Sequence, residues 1–312
     1  MNLQQLQYIL AVAESKHFEK AASKCFITQS TLSTMILKFE EEIGIKIFDR
    51  KTKPVLITKE GEEIIKHLQI ITKEIKSLEN KVQELKGEIT GEFKIGIIPT
   101  VAPYLLPLFL SEFVNKFSKV KIVVQEMTTL DIQKSLKNRS LDIGIAAIPL
   151  EDPELKEYIL YNEQFMLFDC FNDRHDKSHI NLTNMDYSHL ILLEEGHCLR
   201  TQVRKICNLS KKYSENLTNF EFRAGSIDSL IRFTKSYKGI TLLPYMATID
   251  LQKEDKDRLK SLAFPVPIRS IGLIVHQHFV KKRLLEELSM IIQSSVLPLI
   301  STPSESKLIK PL

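Results

Sequence analysis

From Thr58, a residue suited to cap a helix, the chain runs polar to about Lys86, interrupted by Ile64, Leu68, Ile71, Ile75, Leu78, Val82 and Leu85. The steps alternate four and three, which is a heptad. A helix that packs on its own globular body keeps a period near 3.6, whereas a heptad held over three repeats keeps one straight seam for a second helix. The pattern predicts a dimerising helix of about 28 residues, roughly 42 Å long, with a hinge at Gly87 and Gly91. The segments on either side of such a rod must each bury a core of their own.

The preceding segment reads as short helices. Leu3, Leu6, Ile9, Leu10 and Val12 recur with a helical period, and a second short helix runs from His17-Phe18 to Cys25, a core residue by its position. Next, Thr28 offers an N-cap and Gly44 a C-cap, with Leu32, Ile36, Phe39 and Ile43 on one face between them. With Leu32 inward, Ser30, Ser33, Thr34 and Lys38 turn outward. That small, polar surface suits a major groove, where hydroxyls reach base edges, although solvent exposure alone also accounts for it. Ile47-Phe48 and Val55-Leu56-Ile57 flank the basic tip Arg50-Lys51-Thr52-Lys53, a hairpin suited to phosphate. The net charge of +4 permits a nucleic-acid partner without demanding one.

Together, Ala21-Ala22, Thr28-Gln29-Ser30, Leu32-Ser33, Glu41-Glu42-Ile43-Gly44 and Phe48-Asp49-Arg50 resemble the winged helix-turn-helix of LysR-type transcriptional regulators. The resemblance implies that Gln29, Ser30, Thr31, Ser33, Thr34, Lys38, Arg50 and Lys53 meet an operator in double-stranded DNA. Ser30 stands where most of the family has proline. It also implies a regulator and not an enzyme, a dimer through residues 59–86, association of dimers into a tetramer, and RNA polymerase as a partner.

Past Gly91 the pattern is α/β. Strands are expected at Phe93–Ile98, Val120–Met127, Ile143–Ala147, Gln164–Asp169, Leu190–Leu193, Glu221–Arg223, Ile240–Leu243 and Ser270–His276. Helices are expected at Pro103–Phe117, Leu130–Asn138, Cys198–Leu209, Ile227–Tyr237 and Lys281–Ser294. The family implies a two-lobed, periplasmic-binding-protein-like effector domain. The expected division is 1–58 for the winged helix-turn-helix, 59–90 for linker helix and hinge, 91–301 for the effector domain and 302–312 for an unread tail. Within the effector domain, about 91–162 and 268–301 form one lobe and about 163–267 the other.

Two of the four cysteines, Cys198 and Cys207, lie nine positions apart with His197, Arg200, Arg204 and Lys205 around them. A thiol reacts as thiolate, and cations or a helix N-terminus lower its pKa; Gly196 ends an apolar run and places Cys198 on a first turn. Small buried cysteines are the competing reading. His197 and Cys198 with one distant cysteine match no metal-ligand spacing, so no metal or other cofactor is expected. No apolar run nears the ~18 residues of a membrane span and no signal peptide opens the chain, so the expected location is the cytoplasm, without membrane contact. There a disulfide is regulatory sooner than structural.

Ile98-Pro99-Thr100-Val101 with Pro103-Tyr104-Leu105-Leu106-Pro107, Glu195-Gly196-His197-Cys198-Leu199-Arg200 with Cys207, and Gly239-Ile240-Thr241-Leu242-Leu243-Pro244 closely resemble the OxyR-type peroxide sensors. The resemblance implies that hydrogen peroxide is the signal, Cys198 the attacking thiol and Cys207 the resolving one. It implies a pocket of Thr100, Thr129, His197 and Arg269, with Thr128 a rival for Thr129. Tyr237 stands where that group often has glycine, and Cys170 has no counterpart role. A LysR-type regulator answering to a metabolite in the cleft is the alternative, and it would work unchanged with serine at 198.

Overall fold

The computed structural model describes residues 1–85, 89–171, 179–182, 185–208, 224–301 and 303–312. These form two compact units, Met1–Glu88 and Ile89–Leu312.

In the first unit, α1 (Leu3–Ser15) opens on a capping box in which the Asn2 side chain accepts from Gln5 N and the Gln5 side chain accepts from Asn2 N. After α2 (Phe18–Lys24), Thr28 caps α3 (Gln29–Ile43) by accepting from Thr31 N at 3.2 Å. Gly44 ends α3 at φ +71°, a left-handed conformation that favours glycine. Leu32, Ile36 and Phe39 pack with Ile9, Val12 and Ile47 in one core, and Cys25 lies half-buried at its edge. The wing is an antiparallel pair, β1 (Phe48–Asp49) and β2 (Leu56–Ile57). Helix α4 (Lys59–Leu85) starts against it: Gly61 N donates to Thr58 Oγ1, and a Cβ at Gly61 would lie 2.4 Å from Ile47 O, so only glycine fits. Ile65 and Leu68 bury in the unit's own core, whereas Ile71, Leu78 and Val82 farther along the heptad are exposed. The hinge glycine Gly87 lies outside the described residues.

The second unit is the expected two-lobed α/β body. Its strands are β3 (Gly91–Ile97), β4 (Val120–Glu126), β5 (Ile143–Ile148), β6 (Leu155–Asp169), β7 (Ile240–Pro244), β8 (Leu259–Lys260), β9 (Val266–His276) and β10 (Ser306–Leu308). Its helices are α5 (Ala102–Lys116), α6 (Thr129–Lys137), α7 (Cys198–Ile206), α8 (Ile227–Ser236), α9 (Lys253–Lys256) and α10 (Lys282–Val296). The strands run in the order β4-β3-β5-β9-β6-β7. β3 is parallel to β4 and β5 through the crossovers α5 and α6, while β9 is antiparallel to β5 and β6. The long β6 and β9 pass from one lobe to the other: β6 pairs with β9 through Gln164 and with β7 from Phe165. Each lobe has its own core, one around Phe93, Phe113, Ile145 and Leu288, the other around Phe165, Leu199, Leu230 and Leu242.

Three expectations change. Leu190–Leu193 is mostly buried but forms only bridges, Leu190 to Ile240 through Ile240 N to His189 O and Ile191 N to Ile240 O, and Leu193 to Ala224, while the Ile191 carbonyl is taken by the Thr241 hydroxyl. The strand at Gln164 begins earlier, at Leu155, where Lys156 and Glu157 hide the alternation. The tail, unread from the sequence, adds Ser306–Leu308 to β9. The helix expected to reach Leu209 ends at Ile206, with Cys207 as its C-cap, and the expected strand Glu221–Arg223 lies outside the described residues.

Candidate functional site

Thr100 and Thr129 follow the carboxyl ends of the adjacent parallel strands β3 and β4, where sheets of this kind present their binding groups. The two threonines at 128 and 129 divide their work. Thr128 caps α6, its Oγ1 accepting from Asp131 N at 3.2 Å, while Thr129 on the first turn is 3% exposed with its hydroxyl turned inward.

Arg269 reaches this point from β9. It is 1% exposed, and three of its five N–H groups are engaged: Nε donates to Glu163 Oε1 at 2.9 Å, Nη1 to Thr100 Oγ1 at 3.2 Å and Nη2 to Thr100 O at 3.2 Å. Glu163 on β6 balances the charge, and its other oxygen accepts from Met246 N at 2.8 Å. A buried guanidinium needs such a partner. Sequence reading missed Glu163, which sits in the polar triplet Asn162-Glu163-Gln164 and carries no local mark of burial. Tyr104 borders both cores, and its hydroxyl is pushed up to about 12 by burial, with Asp228 and Glu163 adding to the effect and Arg269 opposing it.

Cys198 comes from the other lobe. Gly196, at φ +96°, turns the chain in the left-handed region that favours glycine, and His197 then occupies the N-cap of α7. Arg200 Nη1 ties the turn back to Leu193 O at 2.6 Å. Cys198 therefore sits on the first turn, 5% exposed, packed with the core of the first lobe although its helix belongs to the second. Burial pushes its thiol up from the ordinary value. Against that work the Arg269 guanidinium, the Thr129 hydroxyl and the amides of Leu199 and Cys198 itself. The expected lowering is thus present but outweighed by desolvation. Its leading cation is Arg269, not the arginines and lysine between the cysteines. Thr129 Oγ1 is buried, favours the thiolate and has no other hydrogen-bond partner among the described residues. His197 Nε2 is 3.8 Å from Glu194 Oε1, and His197 is not among the groups acting on the sulfur.

The structure brings Thr100, Thr129, Arg269 and Cys198 together and keeps Cys207 apart. Cys207 is the C-cap of α7, buried in the core of the second lobe with Leu199 and Val203. Burial pushes its thiol up to about 12, opposed by Tyr187. All four cysteines are free. Nine helical steps advance about 13.5 Å and about two and a half turns, against the ~7 Å between Cα atoms that a disulfide spans.

In the first unit, Gln29, Ser30, Thr31, Thr34, Lys38 and Lys53 are exposed and Ser33 half-exposed. The hydroxyls of Ser30 and Thr31 lie 3.0 and 2.8 Å from Thr28 Oγ1. Arg50 is engaged within the protein: it donates to Ser33 Oγ at 2.8 Å and to Glu40 Oε2 at 2.9 Å and lies over the Phe18 ring. Glu40, buried, also accepts from Ile47 N and Phe48 N, so this unforeseen carboxylate sets the wing against α3. Among the described residues no cluster could hold a metal ion, and no helix is long and apolar enough to cross a membrane.

Residues 3–62 match the family described as bacterial regulatory helix-turn-helix protein, lysR family, and residues 86–294 match the LysR substrate binding domain. Among curated proteins, the chain is 30% identical over 277 residues to the HTH-type transcriptional regulator EstR of Acinetobacter baylyi, spanning 88% of this chain and 91% of that protein. It is 32% identical over 276 residues, 88% of this chain and 89% of that one, to the hydrogen peroxide-inducible genes activator of Escherichia coli, OxyR. A full-length OxyR variant from Pseudomonas aeruginosa superimposes with a TM-score of 0.72 at 26% identity, covering 95% of this chain and 96% of that one.

Proposed function

The chain belongs to the LysR family of DNA-binding transcriptional regulators, and within it we propose that this protein senses hydrogen peroxide through a reversible Cys198–Cys207 disulfide and controls oxidative-stress genes. The observation that carries the reading is the enclosure of Cys198, on the first turn of α7, by Arg269 and the inward hydroxyl of Thr129.

The Cys198 thiolate attacks one peroxide oxygen. The S–O bond forms as the O–O bond breaks, and the departing oxygen takes the electron pair and the proton that the thiol released on ionising, and leaves as water. Sulfur loses two electrons and becomes a sulfenic acid. Hydroxyls of Thr100 and Thr129 hold the peroxide and donate to the departing oxygen as charge develops on it, while Arg269 fixes Thr100 and favours the thiolate. The Cys207 thiolate then attacks the sulfenic sulfur: the S–S bond forms, the S–O bond breaks, and a second water leaves. Because α7 separates the cysteines, this step requires the helix to unwind and one sulfur to leave its core. The altered effector surface changes the arrangement of subunits on DNA, a two-state change biased by one covalent bond.

In this reading the exposed seam of α4 pairs two copies, dimers associate as a tetramer, α3 enters the major groove with Lys53 on phosphate, RNA polymerase is the downstream partner, and the protein works in the cytoplasm. A second reading, a regulator answering to a metabolite between the lobes, rests on the match of residues 86–294 to the LysR substrate binding domain and on the 30% identity to the transcriptional regulator EstR. Transcription from a cognate promoter decides between them. Cys198→Ser abolishes the response to peroxide under the first reading; a response unchanged by Cys198→Ser overturns it.

A further inference from the structure

The segment after Ser301 touches the site at two places. Ser306, Lys307 and Leu308 lie parallel to Val266, Pro267 and Ile268 of β9. Val266 N donates to Glu305 O at 3.1 Å, and Ile309 N to Ile268 O at 2.9 Å, one residue before Arg269. The chain then crosses onto α7. Gln202, with no exposed surface, donates from Nε2 to Ile309 O at 2.7 Å. Lys205 Nζ donates to Lys310 O at 3.4 Å and to Leu312 O. Ile309 and Pro311 are buried, and Lys310 pairs with Glu151.

Gln202 is one turn beyond Cys198, and Lys205 is two residues short of Cys207. Both lie inside the stretch that joining the cysteines must unwind, while their partners are anchored to the sheet through β9. The bonds exist with α7 helical and are lost when it is not, so they bias the equilibrium between the two forms. We propose that residues 305–312 are a clasp that holds α7 folded, with Gln202 and Lys205 as the positioning residues it grips. Resting on the peroxide reading, the clasp retards resolution of oxidised Cys198 by Cys207 and so sets how much peroxide is needed to switch.

The test is Ile309→Asp in the full chain, which charges a buried tail contact without altering α7 or the pocket. Gln202→Ala breaks the same contact from the helix side, and alanine, the better helix former, would by itself slow unwinding. Two quantities are read: hydrogen exchange of α7 amides in the reduced protein, and the loss of the first and second thiol after stoichiometric peroxide. The clasp predicts faster α7 exchange in both variants. It also predicts second-thiol loss about tenfold faster, equivalent to about 1.4 kcal/mol, with first-thiol loss unchanged in Ile309→Asp. Unchanged α7 exchange, or a second step no faster than wild type, overturns the clasp; so does a slowed first step in Ile309→Asp, which would make the tail a support for Arg269. If the wild type itself loses no second thiol, the peroxide reading falls, and the exchange measurement still decides whether the tail holds α7.

Discussion

Arg269→Gln strikes the most heavily committed side chain of the site. The substitution leaves Glu163, 1% exposed, with Met246 N on one oxygen and no cation on the other, and strips Thr100 of two donors. Removing one partner of a buried ion pair typically costs about 3–5 kcal/mol, mostly because the remaining charge stays desolvated. Urea unfolding of the reduced protein should show a loss of that size. Glu163→Gln on the same background neutralises the stranded carboxylate, so the double variant should recover about 1–3 kcal/mol of it. Reactivity behaves differently. Arg269 is the leading influence holding the Cys198 thiol down against burial, so its removal raises that pKa further and lowers the thiolate fraction tenfold per unit. The rate of peroxide reaction at neutral pH should fall, its rise with pH should move to higher pH, and Glu163→Gln should not restore the wild-type profile. A cost below about 1 kcal/mol with additive single effects would refute the reasoning about the pair.

Ile75→Lys puts a charge in the middle of the α4 seam between the exposed Ile71 and Leu78, so sedimentation should show loss of dimers formed through this helix and weaker operator binding. Lys53→Ala should weaken binding to all DNA sequences and lower the salt slope by about one phosphate contact, whereas Thr34→Ala should change sequence preference at an unchanged slope in gel-shift titrations. The Cys207 thiol stands at about 12 in the folded protein against 9.0 ordinarily, so above pH 9 the unfolded chain releases a proton that the folded one keeps and stability falls. Cys207→Ala should therefore lose about 1.4 kcal/mol less than wild type between pH 8 and pH 10 in denaturant titrations.

Local rules made much of this molecule readable. Thr28 and Gly44 bound α3 because a hydroxyl can cap one end and glycine can take positive φ at the other. The heptad along α4 was legible because its period differs from that of a helix packing on its own body, and the exposure of Ile71, Leu78 and Val82 fits that distinction. Buried electrostatics were not legible. Glu163 meets Arg269 across 106 positions, and no local pattern tells a carboxylate that will be buried and paired from one that will be solvated. The cations nearest Cys198 in sequence misled for the same reason: Arg200 turns back to Leu193 O and Lys205 turns to the tail. Nor did Ser306-Lys307-Leu308 read as a strand, because three exposed residues at a sheet edge carry no alternation and owe their conformation to β9.

The most direct test of the switch is a map of free thiols and disulfides by peptide mass spectrometry before and after one equivalent of hydrogen peroxide. The reduced protein should show four free cysteines, in keeping with the structure. After peroxide, Cys198 and Cys207 should be lost together as one intramolecular disulfide, leaving Cys25 and Cys170 free, and Cys198→Ser should keep its three thiols. A bridge to Cys170, or four thiols still free under conditions where transcription responds, would contradict the account.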